Sequence, residues 1–368
     1  MNRIIDFLKK EIVLSVSFVL ALISMFFVPP SEKYFDYIDF RTLGLLFSLM
    51  TIMAGLNKMG IFRLLAKNLL NKAKTMRGVT LLLVLLCFFS SMLITNDVAL
   101  ITFVPFSVVL LKLANKQNRM IFVVTLETIA ANLGSMLTPI GNPQNLYLFS
   151  AYNMSISDFF YTIAPYEMLS LGLLVIFSLF SDKSKLANLG DREEVIFDKR
   201  LLTMYAVLFA IALLSVFRVL NYIVLLAVVI VFVLIFDRKV LLKVDYSLLF
   251  TFVFLFIFIG NLGNIAQINS WLSEIVGGNE VVVGVLASQV FSNVPAAILL
   301  SGFTCNAAAL MIGVNIGGLG TLIASMASLI SFKFIQKESV SIAKYLGVFT
   351  LLNVVFLAAN LALWVVVK

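Results

Sequence analysis

Side chains that could coordinate an ion or bind a small polar solute occur at four places in this chain, and each place interrupts an apolar stretch. The four groups are Ser91/Thr95/Asn96/Asp97, residues 138–145, Ser288/Ser292/Asn293 and residues 317–328. Hydroxyl, amide and freed backbone carbonyl oxygens suit a hard cation such as Na⁺, whereas hydroxyls and the N–H groups of half-helix N-termini suit a small anion. The residue types therefore indicate binding of small ions within a membrane.

The four groups belong to a pattern that occurs twice. Residues 131–149 align with residues 314–332 without a gap. The matched residues are Asn132 with Asn315, Gly134 with Gly317, Thr138 with Thr321, Ile140 with Ile323, Leu146 with Leu329 and Phe149 with Phe332. Upstream, the sequence Ser-Met-Leu-Ile-Thr-Asn at 91–96 aligns with Ser-Gln-Val-Phe-Ser-Asn at 288–293. Polar, Gly/Pro-interrupted apolar segments at corresponding positions of two halves are typical of the binding sites of secondary transporters.

The composition is that of a polytopic helical membrane protein. Hydrophobic residues make up 61% of the 368 residues, and several apolar runs could cross a hydrocarbon core of about 30 Å. The net charge of +8 comes mainly from short segments beside these runs, so the expected partner is the lipid bilayer and not nucleic acid.

The residue inventory excludes several functions. There are no histidines and only two cysteines, which argues against zinc, haem and iron–sulfur cofactors and leaves Na⁺ as the one expected ion. No nucleotide-binding loop occurs, so active transport would be driven by an ion gradient. An enzyme is not expected, because no nucleophile–base set recurs at one depth. The competing hypothesis is a channel, in which substrate movement would show no stoichiometric coupling to an ion.

Basic residues indicate on which side of the membrane each connecting segment lies. Arg3, Lys9 and Lys10 precede the first apolar run, and basic clusters lie within residues 58–77 and 112–119. The positive-inside rule places all of these in the cytoplasm, so we expect a multi-pass protein of the cell membrane with a cytoplasmic N-terminus. The apolar stretch from Val79 to Leu111 must therefore leave the cytoplasmic side and return to it.

This stretch predicts a hairpin with the polar tip Thr95-Asn96-Asp97. Each arm has about sixteen residues, or about 24 Å of helix, which is short for a span. Short arms with a polar tip favour a re-entrant hairpin that stops near mid-membrane, where irregular backbone is tolerated if it faces protein or a cavity. The alternative is a pair of short spanning helices with an outer turn.

The segment after the hairpin is interrupted by Pro139, Gly141 and Pro143, which predicts two half-helices. A helix starting near Asp39 would run inward and one starting near Asp245 outward, so the repeats would be inverted. The predicted fold is an all-α polytopic membrane protein with inverted repeats, each containing a re-entrant helical hairpin and a broken transmembrane helix. Residues 1–38 are predicted to form the first transmembrane helix and an outer loop, and residues 182–244 a cytoplasmic loop and two connecting helices. Repeat one is predicted at 39–181, with its hairpin at about 79–113 and its broken helix at about 119–149. Repeat two is predicted at 245–368, with its hairpin at about 281–304 and its broken helix at about 306–335.

Asp97 is the sharpest functional candidate. A carboxylate within the membrane costs about 2.5–3.5 kcal/mol or more on insertion scales, so it is expected to hold a cation, carry a proton or pair with a base. Glu127 is a second proton-coupling candidate, with a structural partner as the alternative. Glu167 and Arg218 fall near predicted outer ends, where snorkelling would explain them.

With these residues the chain resembles the ion-transporter superfamily, which contains divalent-anion/sodium symporters, citrate carriers and arsenite permeases. Thr-Pro-Ile-Gly-Asn-Pro-Gln-Asn at 138–145 resembles the break of the symporters, and Ser292-Asn293 resembles the start of their hairpin tip. Thr95-Asn96-Asp97 is similar instead to the tip of the arsenite permease branch. The resemblance covers most of the chain, and it implies transport by alternating access and a homodimer.

The resemblance also implies a set of site residues. The implied cation-binding residues are Ser91, Thr95, Asn96 and Gly141 in the first half, and Ser288, Ser292, Asn293 and Ala324 in the second. The implied substrate-binding residues between the hairpin tips are Asn96, Asp97, Thr138, Asn142, Asn145, Asn293, Thr321 and Ser325.

The chain departs from the dicarboxylate symporters at the tip threonines, which are replaced by Asp97 and Val294. At about 4 Å and an effective dielectric of 20, a carboxylate repels each negative charge of a substrate by on the order of 4 kcal/mol. The preferred expectation is a small carboxylate or oxyanion that moves with Na⁺ or H⁺. The alternatives are efflux of arsenite or another neutral oxyacid against protons, and Na⁺/H⁺ exchange.

Overall fold

A computed structural model describes residues 11–60, 75–184 and 198–367, and the regular elements in these ranges are helices. This confirms the all-α prediction. The helices up to the middle of the chain are α1 (Ile12–Phe27), α2 (Lys33–Tyr37), α3 (Phe40–Lys58), α4 (Met76–Ile94), α5 (Asn96–Leu113), α6 (Met120–Gly134), α7 (Pro143–Ala151), α8 (Ile156–Leu179), α9 (Lys199–Val216) and α10 (Tyr222–Phe236). The later helices are α11 (Tyr246–Gly263), α12 (Ala266–Val276), α13 (Glu280–Phe291), α14 (Asn293–Ser301), α15 (Ala307–Ile316), α16 (Met326–Ile335) and α17 (Ile342–Val367).

The structure has the helices of a multi-pass membrane protein. Within the described ranges, eight helical segments are long and apolar enough to cross a membrane. Three ion pairs join helix ends that the charge pattern assigns to the cytoplasm: Lys58 with Asp237, Lys116 with Asp182, and Lys112 with Glu338. The basic residues Arg3, Lys9 and Lys10, and those within 61–74 and 185–197, lie outside the described residues.

The first hairpin has longer arms than expected. Helix α4 has 19 residues and α5 has 18, so each is long enough to span. Helix α4 starts at Met76 because the Thr75 hydroxyl caps it, accepting a hydrogen bond of 3.2 Å from the Gly78 N–H. The premise of short arms was therefore wrong, and a re-entrant hairpin stays a prediction.

The second hairpin is shorter, with 12 residues in α13 and nine in α14. The preceding segment is the helix α12, and the chain bends by 110° between α12 and α13. Helix α12 exposes 61% of Trp271, as expected for an amphipathic helix at a membrane interface. Glu280, the first residue of α13, is buried and accepts a hydrogen bond of 2.9 Å from the Thr304 hydroxyl.

Both broken helices are interrupted where the sequence predicts. After α6, a 3₁₀ turn covers Ser135–Leu137, and α7 restarts at Pro143 with Asn142 as its N-cap. After α15, the chain passes through Gly320 at φ +110° and a 3₁₀ turn at Leu322–Ala324 before α16. Proline removes helical donors in the first break, and glycine permits the left-handed backbone in the second.

Each hairpin packs on the broken helix of its own half and also contacts the broken helix of the other half. Helices α4 and α5 contact α6, and α13 and α14 contact α15. In addition, α5 packs against α16, and α14 against α7. Around this core, α1 packs against α11, and α3 packs against α9 and α10. The tips and breaks are thereby held at one level between the two halves.

The halves share fine backbone detail. The tip residues Thr95 and Ser292 have nearly the same left-handed backbone, with φ/ψ of 70°/151° and 72°/154°. Asp39 and Asp245 each cap the following helix by accepting a hydrogen bond of 3.0 Å from the backbone N–H three residues ahead. These correspondences support the duplication, and the inverted orientation of the repeats stays a prediction.

Gly134 allows the first broken helix to touch the hairpin, and Gly134→Ala is expected to destabilise the protein. A Cβ there would lie 2.2 Å from the backbone oxygen of Phe88, and backbone cannot move aside as a side chain can. Overpacking of this kind costs about 1–3 kcal/mol in the free energy of unfolding. Thermal denaturation in detergent measures the effect. Gly172→Ala is the control, because nothing lies within 4 Å of its added Cβ; equal stability of both variants would contradict the prediction.

Candidate ion and substrate site

A narrow cleft lies where the two hairpin tips meet the two broken helices. Its lining residues are Asn96, Asp97, Pro143, Gln144, Leu248, Asn293, Val294, Ser325, Met326 and Ala327. The first residues of α5 and α14 and those of α7 and α16 are in this set, so several helix N-termini converge on the cleft. The positive end of a helix dipole favours negative charge or acceptor atoms nearby.

The cleft brings together four of the predicted substrate residues: Asn96, Asp97, Asn293 and Ser325. Asn96 follows the left-handed Thr95, and its backbone N–H donates to the Gly141 carbonyl at 3.2 Å. Hairpin one is thus docked onto the first break through its own tip. Asn293 follows Ser292, whose buried hydroxyl has no hydrogen-bond partner among the described residues.

Asp97 presents a carboxylate to the cleft without a basic partner. Its Oδ1 is buried and has no hydrogen-bond partner within the described part of the chain. The lining residues include no Lys or Arg. Gln144, which is 1% exposed, likewise has a buried Oε1 without a partner among the described residues. The polar side of the cleft therefore offers unpaired acceptor oxygens.

The two halves contribute different side chains at two corresponding positions of the lining. In the repeat alignment, Asp97 corresponds to Val294 and Gln144 corresponds to Ala327. The first half contributes the polar member of both pairs. The duplicated architecture thus carries an asymmetric cleft.

Four predicted substrate residues do not line the cleft. The Thr138 hydroxyl donates to the Met92 carbonyl, and the Thr321 N–H donates to Gln289 Oε1 at 3.0 Å. Asn145 Nδ2 donates to the Met136 carbonyl at 2.9 Å. Asn142 caps α7, accepting a hydrogen bond from the Asn145 N–H. In this structure these side chains and backbone groups hold the breaks in shape.

Two asparagines join the halves behind the cleft in a reciprocal pattern. Asn132 Oδ1 accepts hydrogen bonds from Asn96 Nδ2 at 3.2 Å and from the Ser325 hydroxyl at 2.9 Å. Its repeat partner Asn315 donates to Asn145 Oδ1 at 2.7 Å and accepts from Asn142 Nδ2 at 3.1 Å. One asparagine of each half therefore hydrogen-bonds to the break of the other half, and these bonds hold the two breaks together.

The remaining predicted cation ligands surround the junctions between tip and break. Ser91 and Ser288 are fully buried, and their hydroxyls donate to the carbonyls of Phe88 and Gly284 at 2.8 and 2.7 Å. Both hydroxyl oxygens keep lone pairs for a ligand. Ala324 is fully buried in the second break.

The acidic residues outside the cleft share the burial of Asp97: Glu127 Oε2 and both carboxylate oxygens of Glu167 have no hydrogen-bond partner among the described residues. Glu127 is fully buried between hairpin one and α6, and its Oε1 accepts a hydrogen bond of 2.5 Å from the Ser107 hydroxyl. It is not among the cleft-lining residues.

Glu167 and Arg218 were expected near the outer ends of helices, with their charged groups extending to the membrane surface. Glu167 is 3% exposed and lies well inside the 24-residue helix α8, so that interpretation was wrong. The reason is that α8 packs against α4, α6 and α17 along that face and covers the side chain. Arg218 is exposed, but it donates to the Phe149 carbonyl at 3.1 Å and covers the Phe149 ring.

Sequence reasoning missed Gln144 and Gln289. Gln144 was inside the recognised break, but the sequence did not show that it faces the cleft and that Asn145 faces away. Gln289 was inside the matched hairpin motif, where it replaces Met92 of the first half. A polar residue that replaces an apolar one between aligned repeats was the available signal in both cases.

Comparison with known proteins identifies the family. An uncharacterized transporter of Methanocaldococcus jannaschii is 32% identical over 350 residues, covering 94% of this chain and 95% of the relative. The inner membrane protein YbiR of Escherichia coli is 32% identical over 326 residues, covering 84% and 83%. A silicon efflux transporter of Oryza sativa is 33% identical over 162 residues, covering 43% and 32%. The family described as citrate transporter matches residues 4–311, and the chain accordingly belongs to this family of membrane transporters.

Proposed function

We propose that this protein is a secondary active transporter that moves a small carboxylate or oxyanion across the cell membrane by alternating access, coupled to Na⁺ or H⁺. The observation that carries the proposal is the unpaired Asp97 carboxylate in a cleft without basic side chains, between two hairpin tips. N-termini of short helices favour an anion there, while Asp97 disfavours one until its own charge is neutralised.

This conflict supplies a reason for coupling. In an interior of low dielectric, an anion beside a charged Asp97 is repelled by several kcal/mol. A proton on Asp97, or Na⁺ bound at the tip–break junction, removes the repulsion. Substrate and coupling ion would then bind together and leave together, which is the condition for symport.

The second candidate is exchange of an uncharged oxyacid for protons. It is favoured by the acceptor oxygens Asp97 Oδ1 and Gln144 Oε1, both buried without a partner among the described residues. Hydroxyl groups of a neutral solute could donate to both atoms, which avoids leaving buried acceptors unpaired. One relative is named a silicon efflux transporter and another a putative transporter arsB, both names that fit this class.

For orientation, we propose a cytoplasmic N-terminus, because the basic segments that flank the first helices follow the positive-inside rule. A homodimer is proposed from the family resemblance. Helices α1 and α10 present exposed apolar side chains such as Phe26 and Ile235, which suit either lipid or a second copy.

The test is ion and solute movement in proteoliposomes that contain the full chain. Internal pH and uptake of labelled citrate, arsenate and arsenous acid are recorded while Na⁺ and H⁺ gradients are imposed separately. Anion uptake that follows one gradient supports the first proposal and identifies the coupling ion. Arsenous acid movement that follows only an H⁺ gradient supports the second candidate. Proton movement against Na⁺ without any solute indicates an antiporter and contradicts both.

A further inference from the structure

The cleft lies near one end of helix α11 and not beside its middle. Leu248, which lines the cleft, is the third residue of this 18-residue helix. Farther along α11, Phe252 and Phe256 contact the ring of Tyr147 on α7, with ring centroids 6.1 and 5.6 Å apart. At 1.5 Å of rise per residue, Leu248 is about 3 Å from the start of α11, whereas the middle of the helix is about 13 Å from it. The cleft is therefore shifted toward the N-terminal end of α11.

Helix α3 indicates the same level for the tip of hairpin one. Near the C-terminal end of α3, Asn57 Oδ1 accepts a hydrogen bond of 3.0 Å from the Thr102 hydroxyl on α5. Asp97 lies five residues before Thr102, or about 7.5 Å along α5, which is half the distance to the centre of a hydrocarbon core of about 30 Å. The basic residues Lys58 and Lys243 flank these ends of α3 and α11. With the proposed orientation, the cleft lies on the cytoplasmic side of the membrane centre.

Asp245 stands at this end of the cleft, one turn before Leu248. Its Oδ1 accepts a hydrogen bond of 3.0 Å from the Leu248 N–H, and its side chain is exposed. The carboxylate is close enough to Asp97 for the two charges to repel each other. The three ion pairs of the described residues include neither carboxylate. We call the end of the cleft beside Asp245 and Leu248 its cytoplasmic mouth.

The corresponding aspartate of the first half has a different electrostatic environment. Asp39 caps α3 as Asp245 caps α11, but Arg41 follows it two residues later, where the second half has Ser247. The charges of Asp39 and Arg41 attract each other. Asp39 is therefore partly neutralised by its own helix, and Asp245 is not.

The interior of the cleft presents acceptor oxygens in the same way as the mouth. Gln144 is 1% exposed, lines the cleft, and has an Oε1 without a partner among the described residues. Asp97 Oδ1 is likewise buried and unpartnered in the described part of the chain. A cation or an O–H group can satisfy these two oxygens, whereas a bare anion cannot. The mouth and the interior thus favour the same class of solute.

We infer that Asp245 is a specificity-determining residue at the cytoplasmic mouth, where its carboxylate attracts cations, admits uncharged solutes and repels free anions. The inference rests on the proposed function and specifies it. The coupling cation or proton exchanges with the cytoplasm at this mouth, and an anionic substrate passes it together with that cation.

The test measures the charge preference of the mouth without transport. Met326→Cys places a thiol in the cleft of the full chain, and Cys305→Ser removes the exposed native thiol. Inside-out membrane vesicles are treated with membrane-impermeant thiosulfonates of positive or negative charge. Each labelling rate is divided by the rate of the same reagent with free 2-mercaptoethanol. Val294→Cys, at another lining position, replaces Met326→Cys if that variant does not fold.

We expect the cationic reagent to react faster than the anionic one, and Asp245→Asn to lower this rate ratio by about threefold at low ionic strength. A charge about 10 Å away is little screened under that condition. The asparagine keeps the helix cap, because its Oδ1 accepts from the Leu248 N–H as the carboxylate does. Asp39→Asn is the matched control, since it removes the charge of the equivalent cap, and it should leave the ratio unchanged.

Three results would overturn the inference: the same ratio with and without Asp245→Asn, an equal decrease in Asp39→Asn, or no labelling from the cytoplasmic side. Labelling does not require coupled transport, so the two proposals fail separately. If solute uptake follows neither gradient while the labelling ratio still depends on Asp245, the proposed function is wrong and the mouth is confirmed.

Discussion

Asp97→Asn is expected to reduce gradient-driven uptake by about 30-fold or more, because losing the desolvated carboxylate that would pair with the coupling proton or cation costs about 2–5 kcal/mol. The asparagine keeps the size of the side chain in the first turn of α5, so the fold should persist. It cannot be protonated or pair with a cation as a carboxylate does. Uptake in proteoliposomes under imposed Na⁺ and H⁺ gradients measures the loss.

Glu127→Gln is the matched control for this prediction. Glu127 is also a buried carboxylate within the membrane, but it is not among the residues that line the cleft. Its substitution by the neutral amide of the same size should leave uptake close to that of wild type, because the side chain does not reach the cleft. If Glu127→Gln abolished coupling while Asp97→Asn did not, the proton-carrying role would move from the cleft to Glu127.

Asn96→Ala and Asn293→Ala are each expected to abolish measurable uptake while the protein remains folded. Both side chains line the cleft directly after a left-handed tip residue. Asn96 also donates to Asn132 Oδ1, so its loss removes one of the contacts that join tip and break. A buried polar group left without its partner costs about 1–3 kcal/mol, and a misplaced site loses rate as well as affinity.

The corresponding control is Asn264→Ala. Asn264 is exposed, lies at the end of α11 and donates to the Tyr37 hydroxyl at 3.0 Å, away from the cleft. Uptake by this variant should equal that of wild type. Size-exclusion profiles and melting temperatures of all three variants separate loss of transport from loss of fold. Wild-type rates in both Asn96→Ala and Asn293→Ala would rule out the proposed site.

Local sequence was sufficient for the broken helices. Pro139, Gly141 and Pro143 cannot continue a helix, and the structure interrupts the helix there. Glycines at 317, 318 and 320 act likewise in the second half. The apolar runs similarly predicted the membrane spans, since a bilayer admits long apolar helices and little else. Helix ends were less certain, because a single cap such as Thr75 lengthened α4 by a few residues.

The direction in which each polar side chain faces could not be predicted from the sequence. The sequence placed Glu167 near an outer end, but tertiary packing covers it along α8. Within one break, Gln144 faces the cleft while the next residue, Asn145, holds backbone carbonyls. Both residues lie in the first turn of α7, where successive side chains point about 100° apart, and only the packing of the surrounding helices decides which of them faces the cleft.

The sequence by itself determined that this is an all-helical membrane protein with two similar, interrupted apolar segments, because apolar length, broken periodicity and aligned repeats are local properties of the chain. The tertiary structure decided which polar residues meet. Asn96, Asp97, Asn293 and Ser325 share a cleft, and Gln289 links hairpin and break in one half only. These contacts join residues far apart in the chain, and their geometry depends on how the two halves pack against each other.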